Sequence, residues 1–387
     1  YTSSNILMST VYYAALTAFA LCYVVLPSVI KFALEKELYT HSGTRSSHTL
    51  PTPALGGIGI FSGLFMANLF WSPFATFPNI QYVLLAIMVI FLTGLRDDLA
   101  PLSVKKKLVA QLMTAILIVY FADIRLESLH GMFSWEGVMP YWLSVVLSIF
   151  TILVVTNAFN LIDGINGLAA SLAIIVTACM GIWLALVGEI AQAVLAFSCV
   201  GALAAFLRFN IIPPAKVFMG DTGSLVIGTV ISVLTLEFIE TNGALYATHP
   251  LHFEATAVVA MTIISVPLFD TLRVFITRIV RGRSPFQPDR RHIHHLLIDS
   301  GYSHLKATSI LICFQLGLIV LVYLLHARLE QHLLLVLLLI VVIAATYILY
   351  RVSKREKAII KHLQSEIGES TPANESVWKE DKVSQVN

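Results

Sequence analysis

Charge is what this sequence has least of. Only 12% of its 387 residues are charged against 57% hydrophobic, and the mean hydropathy is +0.81, where soluble domains carry about 25% charged residues. That scarcity excludes a soluble globular domain, because the apolar stretches recur at lengths that a water-soluble core does not need. Strict alternation of polar and apolar residues is missing too, which excludes a barrel of membrane strands and leaves helices. The four cysteines, Cys22, Cys179, Cys199 and Cys313, all fall inside apolar stretches without metal-like spacing, so neither a disulfide framework nor a thiolate site is expected. There is no internal repeat and no second soluble domain. A formal net charge of +2 says little about partners, and no nucleic-acid partner is expected. The first apolar stretch lacks a basic leader region and a small-residue cleavage site and is read as a retained span.

What is present is a series of apolar stretches at 8–30, 54–72, 80–95, 108–122, 140–158, 167–187, 191–207, 224–239, 256–276, 307–325 and 332–350. They predict an all-α integral membrane protein, a polytopic bundle of about eleven transmembrane helices, with one membrane domain over 1–350 and a polar cytoplasmic tail over 351–387. With the N-terminus outside, one face receives nearly every connecting Lys and Arg, among them Lys31, Arg45, Arg96, Lys105, Lys106, Lys107, Arg208, Arg278, Arg290 and Arg291. The other receives only Arg125 and Arg328. By the positive-inside rule the first face is cytoplasmic.

The polar motifs gather on that same face. A transporter would place ionisable groups near mid-membrane, reachable from both sides, so a cytoplasm-facing active site is the better expectation. In RDDLAPLSVKKK (96–107), Asp97 and Asp98 can cap the helix that follows or serve as acidic site residues. In NAFNLIDGINGL (157–168), Asn157, Asn160, Asp163 and Asn166 recur every three residues, which lines one face of a helix, although Asp-Gly and Asn-Gly also mark turns. Asp221 in MGDTGS can cap a helix or ligate Mg²⁺ beside a phosphate. Phe218 just upstream is a core aromatic or a stacking surface for a base. RRHIHH supplies Arg290, Arg291, His292, His294 and His295. Without a cysteine or a helical His pair carrying a Glu, this cluster suits phosphate better than zinc. Carboxylates and amides for a hard cation, with basic groups for phosphates, suit phosphoryl transfer.

Five motifs in order, PTPALGG, GLRDDLAPLS, NAFNLIDGINGLA, VFMGDTGSL and SPFQPDRRHIHHLL, resemble the polyprenyl-phosphate N-acetylhexosamine-1-phosphate transferases. The resemblance implies transfer of N-acetylhexosamine 1-phosphate from a UDP-sugar to undecaprenyl phosphate with Mg²⁺, for which Mn²⁺ can substitute, in a bacterial inner membrane. The HIHH form is similar to the N-acetylglucosamine branch rather than the branch that makes lipid I. It implies that Asp97 activates the lipid phosphate with Asp98 as its acidic partner. Asp221 and Asn160 would ligate the metal with catalytic Asp163 nearby, and Asn166 and Phe218 would hold uracil. Lys107 would meet the pyrophosphate, and Arg291, His292, His294 and His295 the sugar phosphate. Dimers are common in the family. Some relatives carry Asp where this chain has Asn166, and the stretch after Asp98 lacks the third acidic residue of a strict DDxxD pattern.

Overall fold

Hydrocarbon offers no hydrogen-bond partner, so a chain this apolar closes its backbone bonds within helices. A computed structural model describes residues 2–38, 52–75, 77, 79–135, 137–282 and 292–369, and the side chains of those from 8 to 355. The helices run α1 (Thr2–Glu35), α2 (Gly56–Trp71), α3 (Ile80–Leu99), α4 (Val104–Ile116), α5 (Tyr141–Ile162), α6 (Leu168–Val187) and α7 (Ile190–Asn210). They continue as α8 (Gly220–Ala244), α9 (Thr256–Ile263), α10 (Ser265–Val280), α11 (Ile293–Ile298), α12 (His304–Leu325) and α13 (Gln331–Glu369). Among the described residues no strand occurs beyond an isolated bridge between Ser128 and Val138.

The fold class is the expected one, but the span count differs. Among the described residues eight helices are long and apolar enough to cross a membrane, or nine if α9 and α10 form one span. Helix α2 has only 16 residues, and α4 has 13 before it loosens into a π-helical turn at Leu117–Phe121, each short of the ~20 a span needs. The stretch expected to cross at 256–276 is broken: α9 and α10 meet at 85°. With eight residues, α9 rises only about 12 Å. Helix α13 continues unbroken past position 350 to Glu369.

A bend within the membrane frees backbone groups that need partners, and Gln315 on α12 meets them. Its Nε2 donates to the carbonyls of Thr262 and Ile263 at 2.8 and 3.1 Å. Its Oε1 accepts from Ser265 Oγ and Val266 N at 3.1 and 3.0 Å. One fully buried amide therefore joins both sides of the break.

Helix α8 sits at the centre, touching α2, α3, α5, α6, α7 and α9. Two of its buried hydroxyls bond back to the preceding turn, Ser224 Oγ to the Gly220 carbonyl at 2.9 Å and Thr235 Oγ1 to that of Ile231 at 2.7 Å, so they cost little in an apolar interior. Helix α3 crosses the start of α8 at Gly94, where a Cβ would lie 2.5 Å from Thr222 Cα. Only glycine permits that approach.

Gln315→Leu removes four hydrogen bonds and orphans buried backbone groups, at about 1–3 kcal/mol each. The expected result is a melting midpoint in detergent lowered by several degrees. An unchanged midpoint would show that the break does not depend on this amide.

Candidate active site

Asp97 and Asp98 lie in the last turn of α3 rather than in a connection, and neither caps the helix that follows. The N-cap of α4 is Ser103. Asp98 instead caps α8 from across the fold. Its Oδ1 accepts from the Asp221 N–H at 2.8 Å, and its Oδ2 accepts from the N–H and hydroxyl of Thr222 at 2.9 and 2.5 Å. A carboxylate there meets the orphan N–H groups and the positive end of the helix dipole. Gly220 makes room for it: at φ +73° a side chain is strained, and a Cβ would stand 2.6 Å from Asp98 Oδ2.

That cap puts Asp221 at the edge of the bundle, where three other elements reach it. Lys107 of α4 donates to Asp221 Oδ2 at 2.6 Å and to Asp97 Oδ2 at 3.1 Å. Asn160 of α5 donates to Asp221 Oδ1 at 2.5 Å and to Ser224 Oγ at 2.8 Å. Asp97 Oδ1 accepts from the Leu102 N–H at 2.5 Å. Lys107 is therefore a bridge between two carboxylates at a half-buried site, its own side chain 19% exposed.

The three-residue periodicity of the asparagine motif splits at the helix end. Asn157 and Asn160 lie on α5, while Asp163 follows its last residue and Asn166 sits in the turn closed by Gly167, so the helical and turn readings each hold for half of it. Burial, with repulsion from Asp221 and Asp98, pushes the Asp163 carboxyl up to about 7. Asn166 is buried and its carbonyl accepts from Thr308 Oγ1 at 3.0 Å. Phe218 is pinned through its backbone, donating to Pro53 O at 2.8 Å and accepting from Gly56 N at 2.9 Å. The first motif is thereby held against the fourth.

Arg290 and Arg291 lie outside the described residues. His292 and His294 are buried, with rings stacked at 5.7 Å, and His294 lies 4.2 Å from the ring of His295. His294 abuts Gly164 beside Asp163, which joins the fifth motif to the third. Burial, reinforced by His295, pushes its imidazole down to about 3, so at neutral pH it can exchange hydrogen bonds but brings no positive charge to a phosphate.

Sequence reasoning missed Asp270. Buried in α10, it accepts from His292 Nδ1 and the Ile293 N–H, each at 2.9 Å, and from Arg273 at 2.9 Å. It orients the histidine motif. A lone carboxylate inside an apolar stretch was the available signal, since ionisable residues within membrane segments are functional by default.

Four carboxylates, Asp97, Asp98, Asp163 and Asp221, share this neighbourhood with Lys107 as their close cation. That imbalance and the oxygen-rich donor set fit a hard divalent cation. Among the described residues no three Asp, Glu, His or Cys side chains form a ready-made metal site. Ligation by Asp221 and Asn160 requires Asn160 to turn its amide oxygen inward and Lys107 to yield a carboxylate oxygen.

Fold and site together define a polytopic helical membrane protein with a carboxylate–lysine centre at one end of its bundle. Residues 80–239 match the model for glycosyl transferase family 4. A Salmonella typhi undecaprenyl-phosphate alpha-N-acetylglucosaminyl 1-phosphate transferase is 33% identical over 283 residues, 72% of this chain and 73% of its own length. The Yersinia pestis protein of that name is 31% identical over 304 residues, 77% and 80% of the two chains. A Bacillus subtilis (strain 168) protein named probable undecaprenyl-phosphate N-acetylglucosaminyl 1-phosphate transferase is 31% identical over 296 residues, 76% and 79%. This chain belongs to that family, the one its ordered motifs resemble.

With a folded pKa of about 7 against an ordinary 3.8, Asp163 favours the folded state while protonated and opposes it as pH rises through that interval. In metal-free detergent solution the protein is expected to melt lower at pH 8 than at pH 6, and Asp163→Asn to flatten that slope and raise the pH 8 midpoint. A slope unchanged by the substitution would remove Asp163 from the cluster.

Proposed function

We propose that this protein transfers N-acetylglucosamine 1-phosphate from its UDP conjugate to undecaprenyl phosphate, releasing UMP at the cytoplasmic face of a bacterial inner membrane. The observation that carries the reading is the Lys107 bridge between Asp97 and Asp221, which draws the second and fourth motifs into one centre beside Asn160. The centre lies at the ends of α3, α5 and α8, where a lipid phosphate held in the membrane and a soluble nucleotide can meet. The excess of Lys and Arg on that face supports the orientation, and the names of the relatives support the substrates.

Two anionic reactants must approach each other, so positioning and charge neutralisation dominate. An oxygen of the lipid phosphate attacks the phosphorus next to the sugar. The bond from that phosphorus to the UMP oxygen breaks, and UMP leaves with the electron pair. Asp97, bonded to Lys107, takes a proton from the lipid phosphate. Lys107 and the exposed Lys105 and Lys106 offset phosphate charge. Asp98 touches neither reactant and holds the α8 N-terminus. Asn166 and Phe218 face the nucleotide base, and His292, His294 and His295 the sugar-bearing phosphate. Mg²⁺, held by Asp221 and Asn160, would neutralise the diphosphate and stabilise the departing UMP. Direct displacement is preferred to a phospho-aspartyl intermediate, because the nucleophile is already a phosphate.

Purified protein given radiolabelled UDP-N-acetylglucosamine, undecaprenyl phosphate and Mg²⁺ is expected to move label into the organic phase. UDP-N-acetylgalactosamine and UDP-N-acetylmuramoyl-pentapeptide should transfer poorly. Label that never leaves the aqueous phase would contradict the enzyme reading, and preference for another donor would change the sugar. Asp97→Asn should abolish transfer in a protein that still melts cooperatively, and near wild-type turnover would remove it from the chemistry. Asp221→Ala should weaken turnover and Mg²⁺ activation together, and an unchanged Mg²⁺ titration would remove it from the metal.

A further inference from the structure

Apart from the bonds of Lys107 to Asp97 and Asp221, the site-facing half of α4 packs little against the bundle. From Val104 to Ala110 no side chain is buried, and Val104, Leu108 and Val109 are 61%, 43% and 57% exposed. The first buried side chain is Gln111, and its hydrogen-bonding partner is an amide on α5. Gln111 Nε2 donates to Asn157 Oδ1 at 3.2 Å, and Asn157 Nδ2 donates back to Gln111 Oε1 at 2.9 Å. Asn157 Nδ2 is itself steadied by the Leu153 carbonyl at 2.7 Å.

Each amide stands one helical turn from a site residue. Gln111 follows Lys107 by four positions on α4, and Asn157 precedes Asn160 by three on α5, so on each helix the two share a face. Lys107 and Asn160 are the side chains that donate to the two oxygens of Asp221.

We propose that the Gln111–Asn157 amide pair is a positioning device for the transfer reaction, setting the register of α4 against α5 so that Lys107 and Asn160 both reach Asp221. The proposal rests on the reading of this centre as the transfer site. A reciprocal amide pair closes at one axial offset, whereas two leucines would fill the same space and allow sliding. A slip of one residue, about 1.5 Å, strains both amide bonds and displaces Lys107 Nζ relative to Asn160 at the two oxygens of Asp221. Misplacement of about 1 Å can cost roughly 100-fold in rate. Neither amide touches a reactant, so both are positioning residues.

The test compares Gln111→Asn, the exchanged pair Gln111→Asn/Asn157→Gln, and the double variant Gln111→Leu/Asn157→Leu, each assayed per folded molecule by lipid-linked label. Gln111→Asn shortens one arm and should lower kcat about 10-fold or more, with KM for UDP-N-acetylglucosamine changed much less. Adding Asn157→Gln restores the combined reach of the two arms and should recover most of the lost kcat. The leucine pair leaves no buried polar group orphaned, so it should melt near wild type and still turn over slowly. A pair that served the fold alone would lower the melting midpoint and leave kcat per folded molecule intact. The proposal is overturned if the leucine pair turns over like wild type, or if the exchange recovers nothing. Should the leucine pair not fold, the exchange decides alone. A wild-type protein that transfers no label would instead overturn the transfer reading itself.

Discussion

Everything at this site depends on a carboxylate of one helix closing the N-terminus of another. Asp98 of α3 takes three donors from Asp221 and Thr222 at the start of α8. Charge-assisted bonds of this kind are worth about 1.5–3 kcal/mol each. The pairing requires α3 to lie on the first turn of α8, which Gly94 allows, and fixes the backbone of Asp221 while its carboxylate points to the neighbouring helices. Lys107 and Asn160 then approach Asp221 from two other helices. Remove the cap, and the centre loses the frame on which its distances are set.

The membrane supplies the second constraint. Inside hydrocarbon polar groups need partners, and the bundle gathers its converging charged groups at helix ends. Where a polar side chain does enter the core it is used structurally, as Gln315 is at the α9–α10 break. Gln111 and Asn157 sit between these regimes, paired with each other like structural amides yet one turn from the site. At the opposite end of the bundle Arg125 sits between Asp123 and Glu127 at 2.9 and 2.8 Å, and Glu237 is held by Gln192 at 3.1 Å rather than by a lysine bridge.

The helical class, the five polar motifs and their shared face were legible in the sequence, because apolar run length and helix-end polarity are local properties. Asp97, Lys107, Asn160 and Asp221 were each named, and they do converge. What stayed hidden was relational. Nothing local distinguishes an aspartate that caps its own helix from Asp98, which caps one more than 100 residues away. The 85° break within 256–276 was also invisible, because its stability comes from Gln315 on another helix, and a run of apolar residues reads as one span wherever the bend falls. Asp270 was visible as a lone acid in that run, but its partner His292 lies beyond a loop, so the pair emerges only in three dimensions.

The cap is the claim on which the rest stands, and Asp98→Asn measures it most directly. In a cluster of four carboxylates, deleting one negative charge by itself relieves repulsion and raises stability. An asparagine in place of Asp98 offers one acceptor oxygen where three donors converge, so the account expects the opposite sign: loss of about 2 kcal/mol, read as a lower melting midpoint in detergent, together with loss of turnover. A variant that melts at or above the wild-type midpoint and still transfers label at the wild-type rate would contradict it.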